Sequence, residues 1–187
     1  ASVQNLVGKF ENASDRFYNI ALHGEYRNRT RNRKWDMLLF GEFIAAGRYA
    51  GDYAVQASLK TLLSKKIGFL ELGFRNVNRT PSYIFDTLHG FPVAWGGDLN
   101  RENTTQLSAR LDFPRIRMRL TGDYFLVSNY TYFNNFNQYA QEGALFNFLR
   151  LGFNKEFRLR RSWVWYLDLY VQLTTGDAPV NLPLVWT

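Results

Sequence analysis

A chain that alternates apolar and polar residues over segments of about ten residues has little choice of fold. Successive side chains on a strand point to opposite faces, so each such segment makes a strand with one apolar and one polar face. Residues 162–176, SWVWYLDLYVQLTTG, are the clearest case. Trp163, Trp165, Leu167, Leu169, Val171 and Leu173 fall on one side; Val164, Tyr166, Asp168, Tyr170, Gln172 and Thr174 fall on the other. The pattern recurs over Phe17 to Tyr26, Trp35 to Ala46, Tyr53 to Leu62, Ile67 to Asn76, Thr104 to Phe113, Ile116 to Val127 and Leu145 to Asn154. A further segment begins near Asn181 and is interrupted by Pro183. Helical periodicity is weak throughout.

The connections have a rhythm of their own. LSKKI and FPR are tight, whereas NVNRTPSYIFDTLHGFPVAWGGDLNREN and SNYTYFNNFNQYAQEGA are long. An up-and-down barrel gathers short turns at one rim and long loops at the other. Charge follows the same division. RNRTRNRK, LSKK, residues 115–119 and residues 155–161 fall at the short-turn rim and hold 14 of the 23 basic residues.

Composition excludes several classes. There is no cysteine, hence no disulfide, thiolate metal site or Cys nucleophile. Two histidines are too few for a His-rich metal centre. No cofactor motif is present: GGD at 96–98 is read as a turn, because no helix follows it to cradle a phosphate. No run reaches the roughly 18 apolar residues of a spanning helix. A mean hydropathy of −0.31 does not speak against a barrel, whose strands alternate. The net charge of +7 raises nucleic acid as a partner, and RNRTRNRK would suit a phosphate-binding arm. That reading leaves the aromatic alternation without a purpose, so nucleic acid is not expected. NRT, NAS, NTT and NYT tripeptides match glycosylation sequons by chance.

A soluble antiparallel sandwich also alternates, with its apolar face inward. Two features favour lipid instead. The polar faces carry Arg, Asp and Glu among Tyr, Gln, Ser, Thr and Gly, as a polar lumen would. Trp and Tyr also cluster at strand ends, where amphipathic rings settle at membrane interfaces. Trp35, Trp163 and Trp165 lie near the short turns; Tyr49, Tyr124, Tyr130 and Tyr132 lie near the long loops. Lipid leaves no partner for an unpaired edge, so the sheet must close. Eight or nine strands can close alone, but an aqueous channel needs roughly 16 to 18. The expectation is an all-β, antiparallel, up-and-down transmembrane β-barrel, with residues 1–187 a single region of a larger barrel that continues past the C-terminus.

Three stretches carry a resemblance: RFYNIALHGEYRNRTRNRKWDMLLFGEFIAAGRYAGDY, NVNRTPSYIFDTLHG and GDAPVNLPLVWT. They resemble the putative-porin family of outer-membrane barrels of Bacteroidota, over most of the chain. The resemblance implies a β-barrel in the bacterial outer membrane, contact with lipid and lipopolysaccharide, and passive transport of small hydrophilic solutes. It carries no catalytic motif, so an enzyme is not expected. The alternative is a non-transporting barrel that scaffolds other outer-membrane proteins in an envelope complex.

The candidate functional residues follow from the register. Glu42, Glu71, Arg75, Arg110, Asp112, Arg117, Arg119, Asp123, Arg150 and Asp168 are placed on the lumen face as pore-lining groups, where mixed charge tunes ion preference. The competing account has them pair across neighbouring strands and fill the interior. Trp35, Trp163, Trp165 and Tyr124 are placed at the membrane interfaces. His23 and Glu25 share a face two residues apart, the spacing of a base and its orienter, but are read as lumen wall. His89, with Ser82 and Asp86 nearby, is read as part of a turn-forming loop.

Overall fold

A computed structural model describes residues 1–9, 14–31, 34–64, 66–85, 99–135, 138–160, 163–175 and 185–186. His89, Asp86 and the GGD turn lie outside them. The strands are β1 (Ser2–Lys9), β2 (Ser14–Arg29), β3 (Trp35–Gly47), β4 (Tyr53–Ser64), β5 (Gly68–Arg79), β6 (Glu102–Phe113), β7 (Met118–Ser128), β8 (Tyr130–Asn135), β9 (Gln138–Glu142), β10 (Phe146–Arg160), β11 (Trp163–Thr175) and β12 (Val185–Trp186). One 3₁₀ turn, Tyr83–Phe85, is the only helical element among the described residues.

Ten strands form a single antiparallel sheet in the order β1-β2-β3-β4-β5-β6-β7-β10-β11-β12. Each strand pairs with the next in the chain, apart from the hairpin β8-β9, which is a separate two-stranded sheet within the connection from β7 to β10. This is an up-and-down topology, with β1 and β12 at its open edges.

The registers align like faces across the sheet. Leu72 sits opposite Leu59 and Ala109, Leu107 opposite Phe74 and Tyr124, and Phe153 opposite Leu120 and Leu169. A slip of one residue would turn every one of these side chains to the other face. The outcome is a continuous apolar face that nothing among the described residues covers. Leu22, Leu39, Phe43, Leu72, Phe74, Leu107, Leu151, Trp163, Trp165 and Leu173 are all exposed. Among the described residues the buried apolar side chains are few: Ala21, Pro81, Val127 and Phe146. The described residues thus form no second layer and no sandwich core.

One paired row shows how the strands are staggered. It runs Arg29, Asp36, Lys60, Glu71, Arg110, Thr121, Gly152 and Tyr170 on successive strands. The row starts at the last residue of β2 and crosses β11 in mid-strand. Strands inclined to the rim in this way are what closing a sheet into a barrel requires.

The structure corrects several sequence-based bounds. An additional strand, β1, precedes the first expected segment. Strand β2 runs through Arg29, so Arg27 and Arg29 belong to a strand and not to a turn. Strand β10 likewise runs on to Arg160, so most of the basic segment 155–161 is strand. The segment expected from Ile116 begins instead at Met118, because Arg117 takes a positive φ of 50° in the turn after Pro114. The connection SNYTYFNNFNQYAQEGA, expected as a loop, contains the β8-β9 hairpin. The last segment is strand at Val185–Trp186. The four short connections after β2, β4, β6 and β10 do share one rim, and the two long ones share the other.

Candidate functional site

The chemistry lies on the polar face of the sheet. Its backbone periodicity brings the even residues of β3, β4, β6, β10 and β11 together with the odd residues of β2, β5 and β7. Glu42, Glu71, Arg75, Arg110, Asp112, Arg119, Asp123, Arg150 and Asp168 therefore share one side. Arg117 does not join them on a strand. It sits in the β6-β7 turn, 3.3 Å from Glu156.

Most of these charges are paired between neighbouring strands. In the staggered row, signs alternate over five strands: Arg29, Asp36, Lys60, Glu71, Arg110. Arg29 lies 3.5 Å from Asp36, and Glu71 lies 4.0 Å from Lys60 and 3.6 Å from Arg110. Arg27 adds a two-pronged contact to Asp36, at 3.1 and 2.8 Å. Nearer the turns, Arg119 donates to Asp112 at 2.5 Å, and Asn154 donates to Asp168 at 2.6 Å and to the Tyr170 hydroxyl at 3.1 Å. Nearer the loops, Asp123 accepts from Gln106 at 3.0 Å and from Arg150 at 2.8 Å. Opposite charges facing each other across strands stabilise a pairing, and like charges oppose it. The ladder therefore selects the register from the polar side, as the leucines do from the apolar side. A depression of about 520 Å³ lies over it, lined by Glu71, Ser108, Arg110, Arg119, Asp123 and Arg150, among others.

The aromatics expected at the membrane interfaces occupy the other face. Trp35 opens β3, and Trp163 and Trp165 open β11, all at the short-turn end and all at least half exposed. Tyr124 lies in the loop-side half of β7, between Leu107 and Leu149. His23 and Glu25 both sit on the polar face of β2, and no hydrogen bond joins them. Ser82 caps the 3₁₀ turn, its carbonyl accepting from the Phe85 amide at 2.9 Å.

Sequence reasoning missed a buried polar cluster at the loop rim. Asp52, only 8 % exposed, ends the β3-β4 turn. Its oxygens accept the Thr80 amide hydrogen at 2.9 Å and the Thr80 hydroxyl hydrogen at 2.8 Å, and Arg101 Nε lies 3.5 Å away. Arg101 also donates to the carbonyls of Ala50 and Gly51. Glu102, 6 % exposed, accepts from Arg79 Nε at 3.0 Å and from the Thr131 amide at 2.9 Å. Gln141 clasps Asn100 through both its oxygen and its nitrogen. Phe85 packs on Phe133 and Tyr139 of the β8-β9 hairpin. Together these contacts tie both long connections and the β3-β4 turn into one rim. The carboxylates' roles were hidden because their partners lie about 28 residues away in sequence.

Among the described residues no group of His, Asp and Glu could hold a metal ion. No curated protein and no solved structure matches the chain. The family model described as "Putative porin" matches residues 3–187, nearly all of the chain. An uncovered apolar face, a charge-laddered polar face and this match lead to one statement: the chain belongs to the Putative porin family.

Proposed function

We propose that this sheet is part of the wall of a β-barrel in the bacterial outer membrane, forming a passive channel for small hydrophilic solutes. The observation that carries the reading is the division of the sheet into two faces. An apolar face of this extent, which the described residues leave without a second layer, needs an apolar phase to cover it. Lipid, including lipopolysaccharide in the outer leaflet, would cover it. Lumen water would solvate the opposite face, with its paired charges, amides and hydroxyls. Membership of the porin family supports the outer membrane as the location and transport as the role.

The test is conductance of the full-length protein in planar bilayers. Discrete channel steps are expected. Absence of steps, with partner proteins that co-purify stably, would replace the channel with an envelope scaffold. Glu71→Gln gives a finer check. Glu71 sits between Lys60 and Arg110, so removing its charge releases two cations into the lumen. The reversal potential in a potassium chloride gradient is expected to move toward chloride. No movement would mean that this face does not line the conducting path.

Trp163 and Trp165 give a prediction for the membrane itself. Both are 62 % exposed on the apolar face. Trp163→Ala combined with Trp165→Ala should remove a large share of the tryptophan fluorescence that brominated lipid tails quench. Unchanged quenching would place these rings away from the bilayer.

A further inference from the structure

We propose that Arg75 is the centre of an oxyanion-binding subsite on the polar face, one that takes a small solute bearing a carboxylate or phosphate group. The proposal deepens the channel reading and rests on it only for its role in transport.

Arg75 stands apart from its neighbours. On the same face, Arg27, Arg29, Lys60, Arg110, Arg119 and Arg150 each have a carboxylate partner. Arg75, in the middle of β5 and exposed, has neither a hydrogen bond nor an ion pair among the described residues. Register places Gln56 and Gln106 on either side of it, on β4 and β6. The neighbouring row toward the short turns is Ser58, Gly73, Ser108. A Cβ at Gly73 would collide with the Ser108 hydroxyl, so glycine keeps the floor low there. The result is a depression of about 320 Å³ lined by Gln56, Ser58, Gly73, Arg75, Gln106 and Ser108, among others that include Leu38. Glu71 also reaches it, but its charge is answered by Lys60 and Arg110.

The donors match an oxyanion. A guanidinium presents a planar fork that meets a carboxylate or phosphate with two parallel hydrogen bonds. The Gln56 amide and the Ser58 and Ser108 hydroxyls have no other partners among the described residues, so they are available to the remaining oxygens. The space suits a solute of a few carbon atoms better than a large one.

The experiment is isothermal titration of the full-length protein in detergent with succinate and, separately, inorganic phosphate. Saturable binding of either probe to the wild type is expected. Arg75→Gln is expected to weaken it about tenfold or more, the share of a charge-assisted hydrogen bond. Arg75→Lys, which keeps the charge but loses the fork, should fall between. Folding of each variant is checked by its heat-modified mobility on a gel. No binding to the wild type, or equal binding to Arg75→Gln, overturns the subsite. Binding that depends on Arg75 in a protein that shows no channel steps would keep the subsite and end the channel reading. Channel steps without such binding would do the reverse.

Discussion

Leu72→Arg and Leu107→Arg are each expected to destabilise the membrane-inserted fold by roughly 2–4 kcal/mol, the cost of a cation near the bilayer midplane on the lipid side of a barrel. Both leucines are nearly half exposed, at 47 % and 48 %. Both are flanked by apolar residues on the adjoining strands: Leu59 and Ala109 for Leu72, Phe74 and Tyr124 for Leu107. Neither substitution leaves a cavity, because no layer of the described residues packs above these leucines. Their effect would therefore come from the surrounding phase alone. In water, exchanging an exposed leucine for arginine would be close to neutral. Ala54→Arg is the matched control. It places the same side chain on the polar face, directly opposite Glu42, and is expected to change stability little. The measurement is urea-titrated folding into lipid vesicles, followed by heat-modified mobility. Equal stability for Leu72→Arg and Ala54→Arg would remove lipid from the apolar face.

This asymmetry of faces was legible in the sequence because it is a property of local periodicity. Trp163 to Thr174 shows its two sides by alternation alone, and β4, β6 and β11 begin or end within two residues of their expected bounds. Legibility failed where charge overrode pattern. Lys155 and Phe157 continue the apolar face of β10, with Glu156 and Arg158 on the polar face and an irregularity after Arg158, but the density of basic residues there suggested a turn. A lysine at the edge of an apolar face can stay there by running its stem along apolar surface and reaching a polar atom with its ammonium. The Lys155 ammonium does reach such an atom, donating to the Ile116 carbonyl. Strand β1 was missed because SVQNLVGK puts Leu6 among its polar positions and blurs the alternation.

The polar face was legible as a list of residues, but most of its partnerships were not. Alternation assigns Glu71 and Arg110 to one side. Only the register sets them opposite each other, with Lys60 beyond. Arg117 shows the limit. Alternation carried it into the strand, whereas a positive φ in the turn takes it out. Pairing across strands leaves a lining role open. Cross-strand pairs lie flat along a wall, and a wall of paired charges is still polar.

Asp52→Ala is expected to loosen the loop rim more than any other single truncation of a polar side chain there. The substitution strands the Thr80 amide and hydroxyl, and it takes from Arg101 the anion that holds it beside the Ala50 and Gly51 carbonyls. A donor left without its acceptor in a buried setting loses about 1–3 kcal/mol, more where a charge is involved. Arg101 is about half exposed, so water recovers part of its share, which leaves a loss of roughly 2–3 kcal/mol. Read by hydrogen exchange at the Thr80 amide, this is an acceleration of about 30- to 150-fold. The effect should be local: the Asp123–Arg150 and Asp112–Arg119 pairs lie on other strands, and amides in the middle of β6 and β7 should exchange at their former rates. Asp52→Asn separates shape from charge. It keeps one oxygen for Thr80 but points an amide at a set of donors, so an intermediate acceleration is expected. Wild-type exchange at Thr80 in Asp52→Ala would mean that the long connection after β5 is held by Glu102 and Gln141 without help from the β3-β4 turn.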